Sequence, residues 1–228
     1  MLTLHTADLV VTGPSSPLPV LRGGAVLVEG DRIAEVGAYE DLAGRYPLAR
    51  VRHWPGVLTP GLAVAGAAAL LEGTYYPDDP SETAELGADP ITGAAELAAL
   101  GLTEARRGAS ARRGTQKLLS RGVVVVVGSL RVAAVRTAVA RSGLTLRADL
   151  AVGRAPSSAP SPALSPAPSL DPFAGRASVA EAFCGGLEPG GAARFAVFDA
   201  PDPEALLALG ATTCVATVIA GRLLHRRR

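Results

Sequence analysis

The sequence predicts a mixed α/β chain in which strands from both termini flank a middle of alternating helices and strands. Three observations carry that expectation. Residues 1–62 and 187–228 consist of short β-branched or period-two runs separated by glycine and proline turns. Residues 63–154 alternate helical stretches with short apolar runs, the pattern of proteins built on a parallel sheet. Residues 155–172 are rich in Pro, Ser and Ala, with little apolar surface to offset the entropy of ordering, so a disordered linker is expected there. Residues 173–186 form a short return segment.

Residues 7–12 (ADLVVT) read as a strand, broken by GPSSP at 13–17. Residues 24–29 and 32–37 read as two strands joined across Gly30-Asp31, a hairpin. Residues 38–46 suggest a short helix with Leu42 and Tyr46 on one face, stopped by Pro47. Extended structure resumes at 51–54, and Pro55-Gly56 reads as a turn.

Residues 63–71 are small and apolar, suited to a buried strand or another closely packed element. Pro77, Pro80 and Pro90 forbid a long helix over 74–90. Residues 92–100 and 103–121 read as helices, the second capped at Thr103 and closed by Gly122. The five valines at 123–127 suit a strand buried on both faces. A helix over 133–142, stopped by Gly143, leads to short strands at 144–146 and 149–152. In the last segment, 187–191 is a tight turn and 193–199 a strand. A helix from Asp202 to Leu209 then precedes a hairpin, 212–220 with 222–225, across Ala220-Gly221.

Composition narrows the function classes. At 228 residues the chain can bury one sizeable core or two small ones. It is too short for a complete (β/α)8 barrel of about 250 residues with an accessory domain. With 22 basic and 21 acidic residues it lacks a global grip on nucleic acid or an anionic membrane. The arginines that close the chain read as a solvated terminus. Two cysteines, Cys184 and Cys214, exclude a disulfide scaffold. No export signal or membrane-length apolar run is present, so a cytoplasmic location is expected.

GGAVLVEGDRIAEVG (23–37) and WPGVLTPGL (54–62), with GGLEPGGAARFAVFDA (185–200) and CVATVIAGRLLHR (214–226), resemble the amidohydrolase superfamily. The likeness is to its imidazolonepropionase and aminodeoxyfutalosine deaminase branch. Residues 111–144 resemble the helix, strand and helix that follow the first barrel strand there. The resemblance implies a composite β-sandwich (1–62 with 187–228) and a partial (β/α) barrel-like unit at 63–154. It also implies a hydrolase of non-peptide carbon–nitrogen bonds that uses a divalent metal such as zinc or iron, held by a His-x-His pair on the first barrel strand, later histidines and an Asp. Such a metal acidifies bound water and polarises the bond to be cut.

At the matching positions this chain carries Gly66 and Ala68, which have no donor atoms. No histidine occurs between 63 and 186, and His5, His53 and His225 all lie in the terminal strands. No catalytic residue, metal ligand or cofactor is therefore expected. The acidic run Asp78, Asp79, Glu82, Glu85 and Asp89 reads as a solvated loop, and Tyr75 and Tyr76 read first as buried packing, the alternative being that they and Glu72 line a remnant pocket. Cys184 and Cys214 read as small apolar residues rather than nucleophiles. The expectation is an amidohydrolase-like binding or interaction protein without metal-dependent hydrolysis, a pseudoenzyme. A homo-oligomer or a paralogous subunit would cover the open barrel fragment. The alternatives are an active C–N hydrolase with atypical or partner-supplied ligands, and a decaying gene duplicate.

Overall fold

The computed structural model describes residues 1–13, 19–77, 79–148 and 168–227. The first strands are β1 (Leu2–Val11), β2 (Val20–Arg22), β3 (Gly24–Glu29) and β4 (Arg32–Ala38), followed by α1 (Tyr39–Arg45). Next come β5 (Arg50–Pro60), β6 (Leu62–Ala65), α2 (Ala67–Leu71), α3 (Pro80–Leu86), α4 (Ala94–Ala99) and α5 (Glu104–Leu119). The middle closes with β7 (Val123–Val127), α6 (Ala133–Ser142) and β8 (Thr145–Arg147). The return adds β9 (Arg194–Phe198), α7 (Pro203–Leu209), β10 (Cys214–Ile219) and β11 (Arg222–Arg226). The expected break at 14–17, the strand at 149–152 and the linker up to residue 167 lie outside the described residues.

The chain is mixed α/β: a large sheet is drawn from both of its ends, and a small partial parallel sheet comes from its middle. The large sheet has eight strands in the order β11-β10-β9-β5-β1-β3-β4, with β2 added beside β1. The smaller sheet has the order β6-β7-β8, with β8 parallel to β7 from Val125↔Thr145 to Val127↔Arg147. No barrel closes among the described residues. Two compact units result. The first comprises Met1–Ala63, Leu118–Val124 and Asp171–Arg228, and the second Val64–Lys117 and Val125–Leu170.

In the first unit, β5 is the strand that joins the two ends of the sequence. It runs parallel to β1 from Thr3↔Arg50 onward and antiparallel to β9 from Val57↔Phe198 to Pro60↔Phe195. The two layers of the expected sandwich are one hydrogen-bonded sheet folded over on itself. Val28 and Ile33 from β3 and β4 share a core with Phe195, Val197 and Val218 from β9 and β10. Backbone bonds tie the fold-over shut: the Ile33 N–H donates to Gly191 O, and the Ala193 N–H to Asp31 O. Each buried aliphatic side chain there contributes about 1.5–3 kcal/mol. The other face of β1 and β3 is covered by α1, where Leu42 meets Leu4, Ala25 and Leu27. Phe173, Val179 and Phe183 of the return segment join Phe198 and Leu206 in a further core cluster.

The turn expected at Pro55-Gly56 is absent: β5 runs straight through to Pro60. The pairing register jumps there, from Ala7↔Trp54 to Leu9↔Val57, so Asp8 alone opposes Pro55 and Gly56. This is a β-bulge. Gly56 has φ +70°, and its freed N–H donates to the Asp8 carboxylate at 2.7 Å. The Pro-Gly pair bends the strand rather than ending it.

In the second unit, Pro80 starts α3 instead of breaking a helix, since a proline in the first turn loses no hydrogen bond. Asp79 caps α3 by accepting the Ser81 N–H at 2.8 Å. The Thr103 hydroxyl accepts the Arg106 N–H at 3.3 Å at the start of α5. Gly114 on α5 sits where a Cβ would lie 2.8 Å from both the Leu71 side chain and the Tyr76 ring. Its lack of a side chain sets how closely α5 approaches α2.

Candidate functional site

The second unit holds a cavity of about 400 Å³ between the 75–82 segment and the first half of α5, lined by Tyr75, Tyr76, Asp79, Glu82, Arg106 and Ser110 among others. Tyr76 is fixed at both ends. Its backbone N–H donates to the buried Ser110 hydroxyl at 2.9 Å, and its own hydroxyl donates to Leu70 O at 2.9 Å. Tyr75 is held by reciprocal backbone bonds with Ile91 of 2.8 and 2.9 Å.

On the cavity wall, Tyr75, Glu82 and Arg106 form one connected group. The Tyr75 hydroxyl lies 2.7 and 2.8 Å from the two Glu82 carboxylate oxygens. Arg106 donates Nε and Nη2 to Glu82 Oε1 at 3.2 and 3.0 Å, and Nη1 to Leu100 O at 2.9 Å. The Arg106 guanidinium carbon also stands 5.3 Å from the centre of the Tyr75 ring. Burial, followed by the hydrogen bond to Glu82, pushes the Tyr75 phenol above its ordinary value. Contacts with Tyr75 and Glu82 hold Arg106 above its own. The group presents an aromatic face and a neutralised ion pair. That arrangement suits recognition of a small polar molecule.

Tyr75 and Tyr76 come together at this cavity, but Glu72 does not. Its Oε1 accepts the backbone N–H groups of Arg131 and Val132 at 2.6 and 2.7 Å, at the start of α6. It thus plays the part of a capping glutamate supplied from outside the helix. Sequence reading missed Arg106 and Ser110. One signal was present for Arg106, which sits in the first turn of α5, where a cation opposes the helix dipole and needs a partner.

The positions matching the family's histidine pair do not lie together on a strand. β6 ends at Ala65, Gly66 is the left-handed N-cap of α2 (φ +84°), and Ala68 is inside that helix. A Cβ at Gly66 would lie 2.9 Å from the Pro168 side chain. Both the missing donor atoms and the local backbone are therefore unsuited to a metal ligand, and the site does not fit the superfamily's metal. Among the described residues no group of His, Cys, Asp and Glu gathers as a metal site. Of the acidic run, Asp78 lies outside the described residues, Asp79 caps α3 and Glu82 pairs with Arg106.

The three histidines have separate surroundings. His5 is buried and accepts the Trp54 indole N–H at Nδ1, 3.1 Å away. His53 meets the edge of Tyr39 with ring centres 5.6 Å apart, and His225 pairs with Thr217 across β10 and β11. Both cysteines are free. Cys184 is half-buried, and Cys214 is buried with its thiol pushed up to about 11 by burial. No helix among the described residues is long and apolar enough to cross a membrane.

Residues 24–49 match the family described as imidazolonepropionase-like composite domain, bacteria. They run from β3 through α1, within the N-terminal part of the terminal resemblance. No curated protein matches the chain. Solved structures similar to it include A. niger ochratoxinase, at 22% identity and TM-score 0.43, over 64% of this chain and 30% of that one. Helicobacter pylori aminofutalosine deaminase is similar at 16% identity and TM-score 0.41, over 64% and 32%. E. coli guanine deaminase is similar at 13% identity and TM-score 0.43, over 63% and 36%. The chain spans about a third of the length of each.

Proposed function

We propose that this amidohydrolase-like chain does not hydrolyse carbon–nitrogen bonds through a bound metal, and that it acts by binding. The observation that carries this reading is at the two positions that match the family's histidine pair: Gly66 and Ala68 offer no donor atoms, and the backbone at Gly66 is the left-handed cap of a helix. The binding site is the cavity bounded by Tyr75, Tyr76, Glu82, Arg106 and Ser110. Its size suits a small polar molecule, and its tethered tyrosines are already ordered, which lowers the entropic cost of binding.

Elemental analysis of protein purified without chelators tests the loss of hydrolysis, together with an ammonia-release assay on aminodeoxyfutalosine and related nucleosides. Substoichiometric metal and no ammonia are expected. A full metal equivalent with ammonia release overturns the proposal.

The same reading extends to assembly. β8 ends the small sheet and, among the described residues, pairs with β7 alone, whereas Leu62 at the start of β6 also bridges to Phe183. Open strand edges invite pairing with another chain. A second copy covering this sheet is expected, and a monomeric mass by light scattering at micromolar concentration contradicts it.

A further inference from the structure

We propose that the inward face at the start of β5 is a binding site for a small phosphate-bearing anion, held by Arg50, Arg52 and Arg226 beside the ring of Trp54. The site lies in the first unit, apart from the cavity described above, and stands whether or not that cavity binds a ligand.

The geometry starts with strand periodicity. Arg50, Arg52 and Trp54 alternate along β5, and the register with β1 is unbroken from Thr3↔Arg50 to Ala7↔Trp54. The three side chains therefore share one face. Trp54 belongs to the core enclosed by the folded-over sheet, so that face is the inner one. From β11, Arg226 places its guanidinium carbon 5.9 Å from the centre of the Trp54 ring.

Three guanidinium groups thus gather at one place. The described ion pairs engage Arg32, Arg45, Arg106 and Arg227, and none of the three at this site. The Nε of Arg52 is shielded from solvent and has no hydrogen-bond partner. Burial first, then the charges of Arg50 and Arg226, hold Arg52 below its ordinary value, so like charges face each other. His5 lies opposite Arg52 in the register and is itself held neutral, so it adds no further positive charge to the cluster. A tetrahedral dianion relieves this arrangement, because it offers several oxygens to planar guanidinium forks at once. The cluster is confined to three side chains, a half-buried Arg52 flanked by the exposed Arg50 and Arg226, and the chain's net charge is only +1. Both facts favour a small anion over a nucleic-acid backbone.

Trp54 is the sole tryptophan, so its fluorescence reports on this site alone. The experiment titrates the full chain with inorganic phosphate and, separately, with glycerol 3-phosphate, at constant ionic strength set with chloride. A saturable change is expected with one or both. Tighter binding of the monoester identifies a phosphate carried on an organic ligand, and tighter binding of inorganic phosphate identifies the free ion. Arg52→Gln weakens binding by about tenfold or more. Arg227→Gln removes the same charge from a side chain engaged with Thr212 and Asp199 and leaves affinity unchanged. Should Arg52→Gln fail to fold, the exposed Arg226→Gln carries the same expectation. A response that chloride reproduces, or equal affinity in the folded Arg52 or Arg226 variant, overturns the proposal.

Discussion

The indole N–H of Trp54 donates to Nδ1 of His5 at 3.1 Å, inside the core of the terminal sheet. The bond requires an unprotonated Nδ1, and burial, then the charge of Arg52, lowers His5 to about 3. The folded state thus keeps His5 neutral where the unfolded chain, with an ordinary value near 6.5, takes up a proton. Stability is therefore unaffected by this group above pH 6.5 and falls as pH drops from 6.5 towards 3. The loss amounts to about 1.4 kcal/mol per pH unit. Urea unfolding at a series of pH values measures it, and His5→Gln flattens the slope.

The bulge on β5 gives a second expectation. A Cβ at Gly56 would lie 2.3 Å from Phe198 O and 2.7 Å from Ala200 O, at φ +70°. Both obstacles are backbone, so neither can swing aside. Gly56→Ala should cost at least about 3 kcal/mol through strain and overpacking. Asp8→Ala, which only removes the acceptor of the Gly56 N–H, should cost about 1 kcal/mol. Thermal and urea unfolding of the two variants distinguish them.

Glu72 is expected to matter for α6 and not for ligand binding. Glu72→Ala strips the acceptor from two backbone donors and should destabilise the fold by about 1–2 kcal/mol. Glu72→Gln keeps an acceptor oxygen and should cost less. Hydrogen exchange of the Arg131 and Val132 amides should quicken in Glu72→Ala.

Tyr75 offers an optical check on the cavity. Its phenol is raised above the ordinary value by burial and by Glu82, while Arg106 pulls it down. Glu82→Gln should shift its titration towards the ordinary value, and Arg106→Gln should shift it further up. Absorbance at alkaline pH, taken as a difference from Tyr75→Phe, isolates the group. Because the folded value is the higher one, stability from this group is full below pH 10 and is lost as pH rises through that value.

The thiol of Cys214, pushed up to about 11, should resist Ellman's reagent in the folded protein at pH 8 and react fully in denaturant. Rapid native reaction of both cysteines would contradict the burial described for Cys214.

Local signals made much of the fold legible. The Gly30-Asp31 hairpin, the valine strand β7 and the Asp202 cap of α7 each depend on neighbours a few residues away. Asp202 accepts the Ala205 N–H at 2.8 Å, as its position before Pro203 suggests. What stayed hidden was set by distant partners. Pro55-Gly56 looks like a turn unless the Asp8 carboxylate is known to lie against it. Glu82 looks like a solvated acid until Arg106 arrives from another helix. Glu72 follows the family's ligand positions in sequence, yet its carboxylate turns to a helix end almost sixty residues on. Local pattern reports secondary structure, whereas the polar ties that shape a site are tertiary.

The pairing of Val57–Pro60 on β5 with Phe198–Phe195 on β9 has a consequence for how the protein is made. During synthesis the first five strands leave the ribosome long before β9 exists. Until then the Val57–Pro60 stretch of β5 has a bare apolar edge, because residues 61–193 must be translated first. Closing such a long loop is slow, and an unpaired edge in the meantime is a template for misassociation. The nascent chain is therefore most exposed to aggregation midway through translation. Chaperone dependence should be concentrated in that interval and end when β9 and β10 emerge.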